Sequence, residues 1–284
     1  MSSAFAGWGR RVLNRLRLAL DQKSLPAPAI DAAPARARPA LDAPPAWKLE
    51  RAFEAAGGSY SEASATNWKH FWASKPTVVG VDAEGTQHSP PLLVQVAFAG
   101  NRVLLEAPSA REGVSADLQR LLADASIAKC FFGPPDNEGL EVPMANVVDV
   151  QAAAKGKVAH TNPKHGPSLV AAVRTLAPGV PDAANLVKNK KIQQSFGFMF
   201  RSRKKDFLHE LSHARKLYAA ADAWATLEVA RSLYRTDPEA VARNTLGTPD
   251  GPGSTVLLPK CGAARARVFY RMRQRRRQER SKPG

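Results

Sequence analysis

The stretch Thr77-Val-Val-Gly-Val-Asp-Ala-Glu-Gly-Thr86 decides the fold, because an apolar segment typical of a buried strand ends in two carboxylates. Side chains alternate between the two faces of a strand, so Asp82 and Glu84 project from the same face. Neighbouring buried carboxylates repel each other and lose their hydration, and a divalent cation is a common neutralising partner. The stretch therefore predicts a strand that carries ligands for Mg²⁺ or Mn²⁺.

Length and composition favour one well-buried domain with appendages. A chain of 284 residues, 44% of them hydrophobic, can hold a domain of about 180–200 residues. The formal net charge is +16, of which residues 1–24 contribute +4 and residues 261–284 contribute +8. This excess predicts a polyanionic partner, with nucleic acid ahead of a membrane surface. No apolar run reaches the roughly 20 residues of a transmembrane helix.

The two cysteines, Cys130 and Cys261, exclude a disulfide framework and a cysteine zinc site, and they fit a reducing interior compartment. Cys130 lies in an apolar run and is expected to be a small core residue. The six histidines are scattered and form no ligand pattern.

Residues outside the central part predict targeting and RNA binding. Residues 1–24 place apolar side chains at helical spacing with arginines between them, which predicts a basic amphipathic targeting or anchoring helix. The helix resembles a mitochondrial presequence, and a peripheral membrane helix or a partner-binding helix has the same pattern. Residues 25–46 form an Ala/Pro linker. Residues 236–284 form a basic C-terminal extension, whose arginine-rich tail, 263–282, predicts RNA binding, with a nuclear import signal or a solubilising tail as alternatives.

The segment 47–235 predicts an α/β domain with a mixed sheet flanked by helices. An antiparallel meander is expected first, because Gly100-Asn101 is typical of a tight hairpin. Strands and helices then alternate, which favours parallel pairing. The predicted strands are 77–83, 92–98, 102–106, 127–132 and 146–150, and the predicted helices are 47–56, 67–73, 116–124, 168–176 and 212–234, with a polar Gly/Ser connection after the first helix.

Three further side chains complete a constellation of acids. Asp136 follows Gly-Pro-Pro just after the strand 127–132, where it could also cap a helix. Tyr218 and Asp222 are four residues apart on the last long helix, which places phenol and carboxylate on one face.

The order and spacing of these residues resemble the DEDDy 3′–5′ exonucleases of the ribonuclease D type, which implies a ribonuclease H-like fold. The shared pattern is Asp-x-Glu on a first strand, Asp after a fourth strand, and Tyr-x-x-x-Asp in a late helix. Leu92-Leu-Val-Gln-Val-Ala97 is similar to the family's second strand, including its glutamine, and Asn146-Val-Val-Asp-Val-Gln151 to the strand after the third acid. The resemblance covers roughly residues 76–235.

The resemblance implies a metal-dependent 3′–5′ exonuclease. Asp82, Glu84, Asp136 and Asp222 would hold two Mg²⁺ or Mn²⁺ ions, which clamp the attacking and leaving oxygens of an in-line phosphodiester displacement. Tyr218 would orient the nucleophilic water. Asp149 is a competing candidate for the third acid, although its neighbours are typical of a packed strand. RNA is favoured over DNA because of the arginine-rich tail.

One segment departs from the family. The stretch 188–205 lacks the Trp and Arg-Pro elements that family members often show, and it is strongly basic instead. Lysine and arginine bind backbone phosphates without sequence specificity, although a solvated charged loop has the same composition. The predicted nucleic-acid-binding residues, here and in the tail, are Lys188, Lys190, Lys191, Arg201, Arg203, Lys204, Lys205, Arg275, Arg276 and Arg277.

The alternative function is a catalytically silent one. An exonuclease fold could serve as an RNA-binding component of a mitochondrial ribonucleoprotein assembly, with the two basic ends as its anchors. This alternative is based on the charge distribution, because residues 1–24 and 261–284 carry twelve of the sixteen net positive charges. The expected location is the mitochondrion, with the nucleus as the alternative.

Overall fold

The computed structural model describes residues 47–84, 91–108, 113–133, 142–159, 166–193 and 207–246. Its strands are β1 Trp47–Lys48, β2 Ser59–Glu62, β3 Val78–Glu84, β4 Leu93–Phe98, β5 Arg102–Glu106, β6 Ala128–Phe131, β7 Val147–Asp149, β8 Leu186–Val187 and β9 Thr245–Leu246. Its α-helices are α1 Leu49–Ala55, α2 Ala65–Ala73, α3 Ala116–Ala123, α4 Val150–Ala154, α5 Leu169–Leu176, α6 Phe207–Glu210, α7 His213–Thr236 and α8 Pro238–Arg243, with a 3₁₀ turn at Ala183–Asn185.

A seven-stranded mixed sheet forms the centre of the domain, in the order β2-β5-β4-β3-β6-β7-β9. β3, β4 and β5 pair antiparallel as a meander, and Gly100 and Asn101 both adopt positive φ angles in the turn between β4 and β5. β6 and β7 extend the sheet in parallel from β3. The predicted α/β architecture, a mixed sheet flanked by helices, is confirmed.

Two apolar layers cover the sheet, and the side chains of its central strands alternate between them. On one face Leu93, Ala97 and Leu105 belong to the core that includes α1, α5 and α7. On the other face Val94 and Val96 join a cluster with α2 and α3. Because both faces are covered, the central strands are apolar on both sides, which explains why the sequence marks them so clearly.

The contact between α7 and β3 is unusually close at one glycine. A Cβ built on Gly80 would lie 2.3 Å from the carbonyl oxygen of Ala223 and 2.9 Å from Leu227. The facing side of α7 is rich in fully buried alanines, including Ala219 and Ala220. Small residues on both elements therefore let the helix backbone approach the strand backbone directly.

The predicted helices and strands of 47–235 are found within two residues of their expected bounds, and Cys130 is buried in the core as expected. The Gly/Ser connection after the first helix is wrong in part, because residues 59–62 form the edge strand β2, parallel to β5. Ser-Tyr-Ser-Glu has little apolar content because β2 pairs only with β5 at the edge of the sheet, where its side chains stay partly exposed. Beyond residue 235, α8 follows and β9 joins the same sheet through β7.

The basic helix of 1–24, the linker of 25–46 and residues 247–284 of the C-terminal extension lie outside the described residues, so the domain scheme and the mitochondrial location stay predictions. None of the helices that the structure describes is long and apolar enough to cross a lipid bilayer.

We expect Gly80→Ala to lower the free energy of unfolding by about 2 kcal/mol, as is typical when a methyl group is forced into a packed core. Urea denaturation of both proteins measures the difference. Gly179→Ala is the matched control, because a Cβ at that position meets no atom within 4 Å among the described residues. Equal losses in the two variants would contradict the close approach of α7 and β3.

Candidate metal centre

Three carboxylates meet where α7 crosses the carboxyl-terminal half of β3. Asp82 and Glu84 lie on the face of β3 that α7 covers, and Asp222 precedes Ala223, the residue whose carbonyl contacts Gly80. One oxygen from each of the three carboxylates lies within 4.8 Å of the others. The i, i+2 spacing on the strand and the close helix contact therefore produce a compact cluster of oxygen ligands.

Burial and mutual repulsion make these acids hard to ionise. Desolvation, followed by the charge of Asp222, raises the pKa of Asp82 to about 6. Desolvation, followed by the charges of Asp82 and Asp222, raises the pKa of Glu84 to about 8. Desolvation also raises the pKa of Asp222. The cluster needs positive charge or protons to be stable at neutral pH.

Lys188 supplies one positive charge to the cluster. Its Nζ lies 3.3 Å from Oδ2 of Asp222. Burial alone lowers the pKa of Lys188, but the three nearby carboxylates together raise it above its ordinary value. The lysine is held there because it directly follows β8, which pairs in parallel with β1 beside α1.

Tyr218 lies one turn before Asp222 on α7 and is buried. Its hydroxyl donates a hydrogen bond to the Asp222 carboxylate, and the Nζ of Lys188 lies 5.6 Å from the centre of its ring. Burial, followed by the charge of Asp222, raises the pKa of Tyr218 far above its ordinary value. The phenol therefore stays protonated and acts as a hydrogen-bonding group.

The donor set fits a hard divalent cation. All three ligands are carboxylates, which are the side chains that Mg²⁺ and Mn²⁺ prefer. Their oxygens are close enough to share one ion, and the raised pKa values show that the cluster carries uncompensated negative charge when it ionises. A cation at this position would relieve the repulsion that burial intensifies.

The structure describes only some of the remaining predicted site residues. Asp136 lies outside the described residues, as do Arg201, Arg203, Lys204, Lys205 and Arg275, Arg276 and Arg277. Asp149, the competing third acid, caps α4, where its Oδ1 accepts a hydrogen bond of 2.9 Å from the backbone N–H of Ala152. Lys190 and Lys191 are exposed, whereas Lys188 is half-buried at the acid cluster.

Two polar residues near the cluster have no role predicted from the sequence. Glu50 on α1 is buried, accepts a hydrogen bond of 2.9 Å from Asn189, and contributes to the raised pKa of Asp222. Gln95 on β4 is fully buried opposite Asp82. Glu50 gave no signal because a glutamate in a short amphipathic helix normally faces water, and Gln95 was noticed only as part of a family pattern.

No family model matches this chain, and no curated protein matches it in sequence. Similar solved structures do exist. A nuclease in its apo form is 19% identical, with 65% of this chain and 85% of that chain covered and a TM-score of 0.44. Brucella melitensis NrnC with bound Mg²⁺ is 19% identical, with 65% of this chain and 85% of that chain covered and a TM-score of 0.41. The EXD2 exonuclease domain soaked in Mn and dGMP is 17% identical, with 65% of this chain and 95% of that chain covered and a TM-score of 0.30.

We expect the metal-free protein to lose stability as the pH rises from 4.5, the ordinary pKa of Glu84, to about 8, its raised value. Across this range the unfolded chain releases the proton more readily than the folded protein, so ionisation favours unfolding. Mg²⁺ should raise the melting temperature more at a pH of about 9 than at a pH of about 5, because protons compete for the carboxylates. Thermal denaturation across pH, with and without Mg²⁺, measures both effects.

Glu84→Gln is the informative variant for this titration. Without metal it should be more stable than the wild type at a pH of about 9, because the repelling charge is gone, and should differ little at a pH of about 4. A wild-type stability that does not change with pH over this interval would show that the three acids are not coupled as described.

Proposed function

We propose that this chain is a metal-dependent exonuclease that removes nucleotides from the 3′ ends of nucleic acids, RNA ahead of DNA. The observation that supports this most directly is the cluster of Asp82, Glu84 and Asp222, whose carboxylate oxygens lie within 4.8 Å of one another, with the Tyr218 hydroxyl hydrogen-bonded to Asp222. The 3′–5′ direction and the DEDDy subtype follow from the resemblance of the motifs.

In this proposal Asp82, Glu84 and Asp222, with Asp136 as the fourth acid, hold two divalent cations. When bound, such cations lower the pKa of water and stabilise the charge that develops on a phosphodiester during displacement. Asp222 is buried and Asp82 and Glu84 are partly buried, which supports their part in this, because charges with little water around them interact strongly with an ion.

Tyr218 positions the attacking water. Its proton is committed to Asp222, so the phenolic oxygen keeps lone pairs that can accept a hydrogen bond from a water molecule. Burial, followed by the charge of Asp222, raises the pKa of Tyr218, which favours a protonated phenol over a tyrosinate base. The residue therefore acts through orientation, which accelerates a reaction by fixing the nucleophile in a productive geometry.

In this proposal Lys188 also contacts a phosphate of the substrate. In the structure its ammonium ion neutralises Asp222. Once Asp222 binds a cation, Lys188 is free to leave it and to contact a phosphate oxygen of the nucleic acid. The exposed Lys190 and Lys191 extend the same positive segment away from the acids, in keeping with contacts to the next phosphates along the strand.

The purified protein with Mg²⁺ or Mn²⁺ should shorten single-stranded oligonucleotides, and labels at either end should show loss from the 3′ terminus. Asp82→Asn and Asp136→Asn should each lower the rate by at least about 10³-fold, because each removes a proposed ligand. Matched RNA and DNA substrates, resolved by gel electrophoresis, measure the preference.

Asp149→Asn is the control for the third acid. Asparagine caps helices as well as aspartate does, so this variant should keep both its fold and its activity. A wild-type protein as inert as Asp82→Asn on every substrate would favour the catalytically silent, RNA-binding alternative. Loss of activity in Asp149→Asn with full activity in Asp136→Asn would exchange the roles of these two acids.

We expect Tyr218→Phe to lower kcat by about 10–100-fold, because a water molecule loses its orienting partner. KM for the oligonucleotide and the affinity for Mg²⁺ should change little, because the phenyl ring keeps its packing and the carboxylates remain. Single-turnover kinetics and calorimetry measure the three quantities. A Tyr218→Phe variant with wild-type kcat would remove the tyrosine from the proposed chemistry.

A further inference from the structure

Gln95 is a fully buried amide without a hydrogen-bond partner among the described residues. Its relative exposure is 0%, and neither Nε2 nor Oε1 has a partner there. An amide that leaves water without gaining a hydrogen bond destabilises the folded protein. Packing alone does not account for a glutamine at this position.

The position of Gln95 places it beside the metal centre. In the antiparallel register of β3 and β4, Gln95 lies directly opposite Asp82, so both side chains project toward α7. On the other side β5 presents Leu105, and along β4 the same face carries Leu93 and Ala97. The directly paired and same-strand neighbours of Gln95 on this face are therefore apolar, apart from Asp82.

The Asp82 carboxylate can accept a further hydrogen bond. Its carboxylate accepts a hydrogen bond from the backbone N–H of Ala83 and lies in the field of Lys188. A carboxylate has about four lone-pair sites, so one donor leaves room for a cation and for a second hydrogen bond. The Gln95 amide is a neutral donor, which can fix a carboxylate without displacing a cation.

We propose that Gln95 is a positioning residue for Asp82: its Nε2–H donates to the carboxylate when Asp82 holds a divalent cation, and so fixes which oxygen faces the ion. The inference rests on the proposed metal site. Outer hydrogen-bond partners of this kind orient metal ligands and raise their affinity for the ion. The amide then stays without a partner in the metal-free protein, and it gains one when the metal binds.

This role makes stability and metal affinity change in opposite directions. Gln95→Met keeps the length of the side chain and removes the amide, so the metal-free melting temperature should rise by about 2–6 °C. The same variant should bind Mg²⁺ about 10–100-fold more weakly, as measured by isothermal titration calorimetry. Gln95→Leu is the second variant and should show the same pair of changes.

Gln119→Leu is the matched control, because Gln119 lies on α3 across the sheet and its Nε2 donates to the carbonyl of Val114 at 2.9 Å. It should leave the affinity for Mg²⁺ unchanged and should not raise the melting temperature. The proposal is overturned if Gln95→Met binds Mg²⁺ within about twofold of the wild type, or if it lowers the melting temperature and the affinity together, as a purely structural residue would. Wild-type protein that binds no Mg²⁺ would instead overturn the metal site itself.

Discussion

The separation between β3 and α7 is the constraint on which the structure depends. Gly80 has no side chain, and the carbonyl of Ala223 occupies the space that a Cβ would fill. Two residues along the strand comes Asp82, and one residue back along the helix comes Asp222. A small increase in the separation of the two backbones would therefore move the carboxylates apart and weaken any site that they share. The close packing of Gly80 against Ala223 thus sets the distance between the acids.

The acid cluster is a local cost that the rest of the fold offsets. Asp82, Glu84 and Asp222 oppose folding when they ionise, and the buried Gln95 amide, which has no hydrogen-bond partner among the described residues, adds to that cost. Two extensive apolar layers on either side of the sheet supply the compensation. Sites that bind ions or substrates commonly trade stability for function in this way. Lys188 reduces the repulsion among the acids through its contact with Asp222.

The sequence predicted those features that depend on strong local signals. β3 and β4 are marked by continuous apolar runs, and α7 by its length. The edge strand β2 has neither signal, because pairing on a single side does not require apolar residues. The three described acids could be grouped from their motifs, whereas the positions of Lys188 and Glu50 depend on how β1 and β8 pair across the chain, which no local pattern encodes. Asp136 lies outside the described residues and stays a prediction.

The site is assembled from parts of the chain that lie far apart. Asp82 and Glu84 belong to the first long strand of the sheet, and Asp222 to the last long helix. Contacts between distant segments form late in folding, because a large loop must close first. During synthesis the strands leave the ribosome well before α7 does. The nascent chain therefore lacks Asp222 until α7 emerges, so the three carboxylates cannot come together while only the strands have been made.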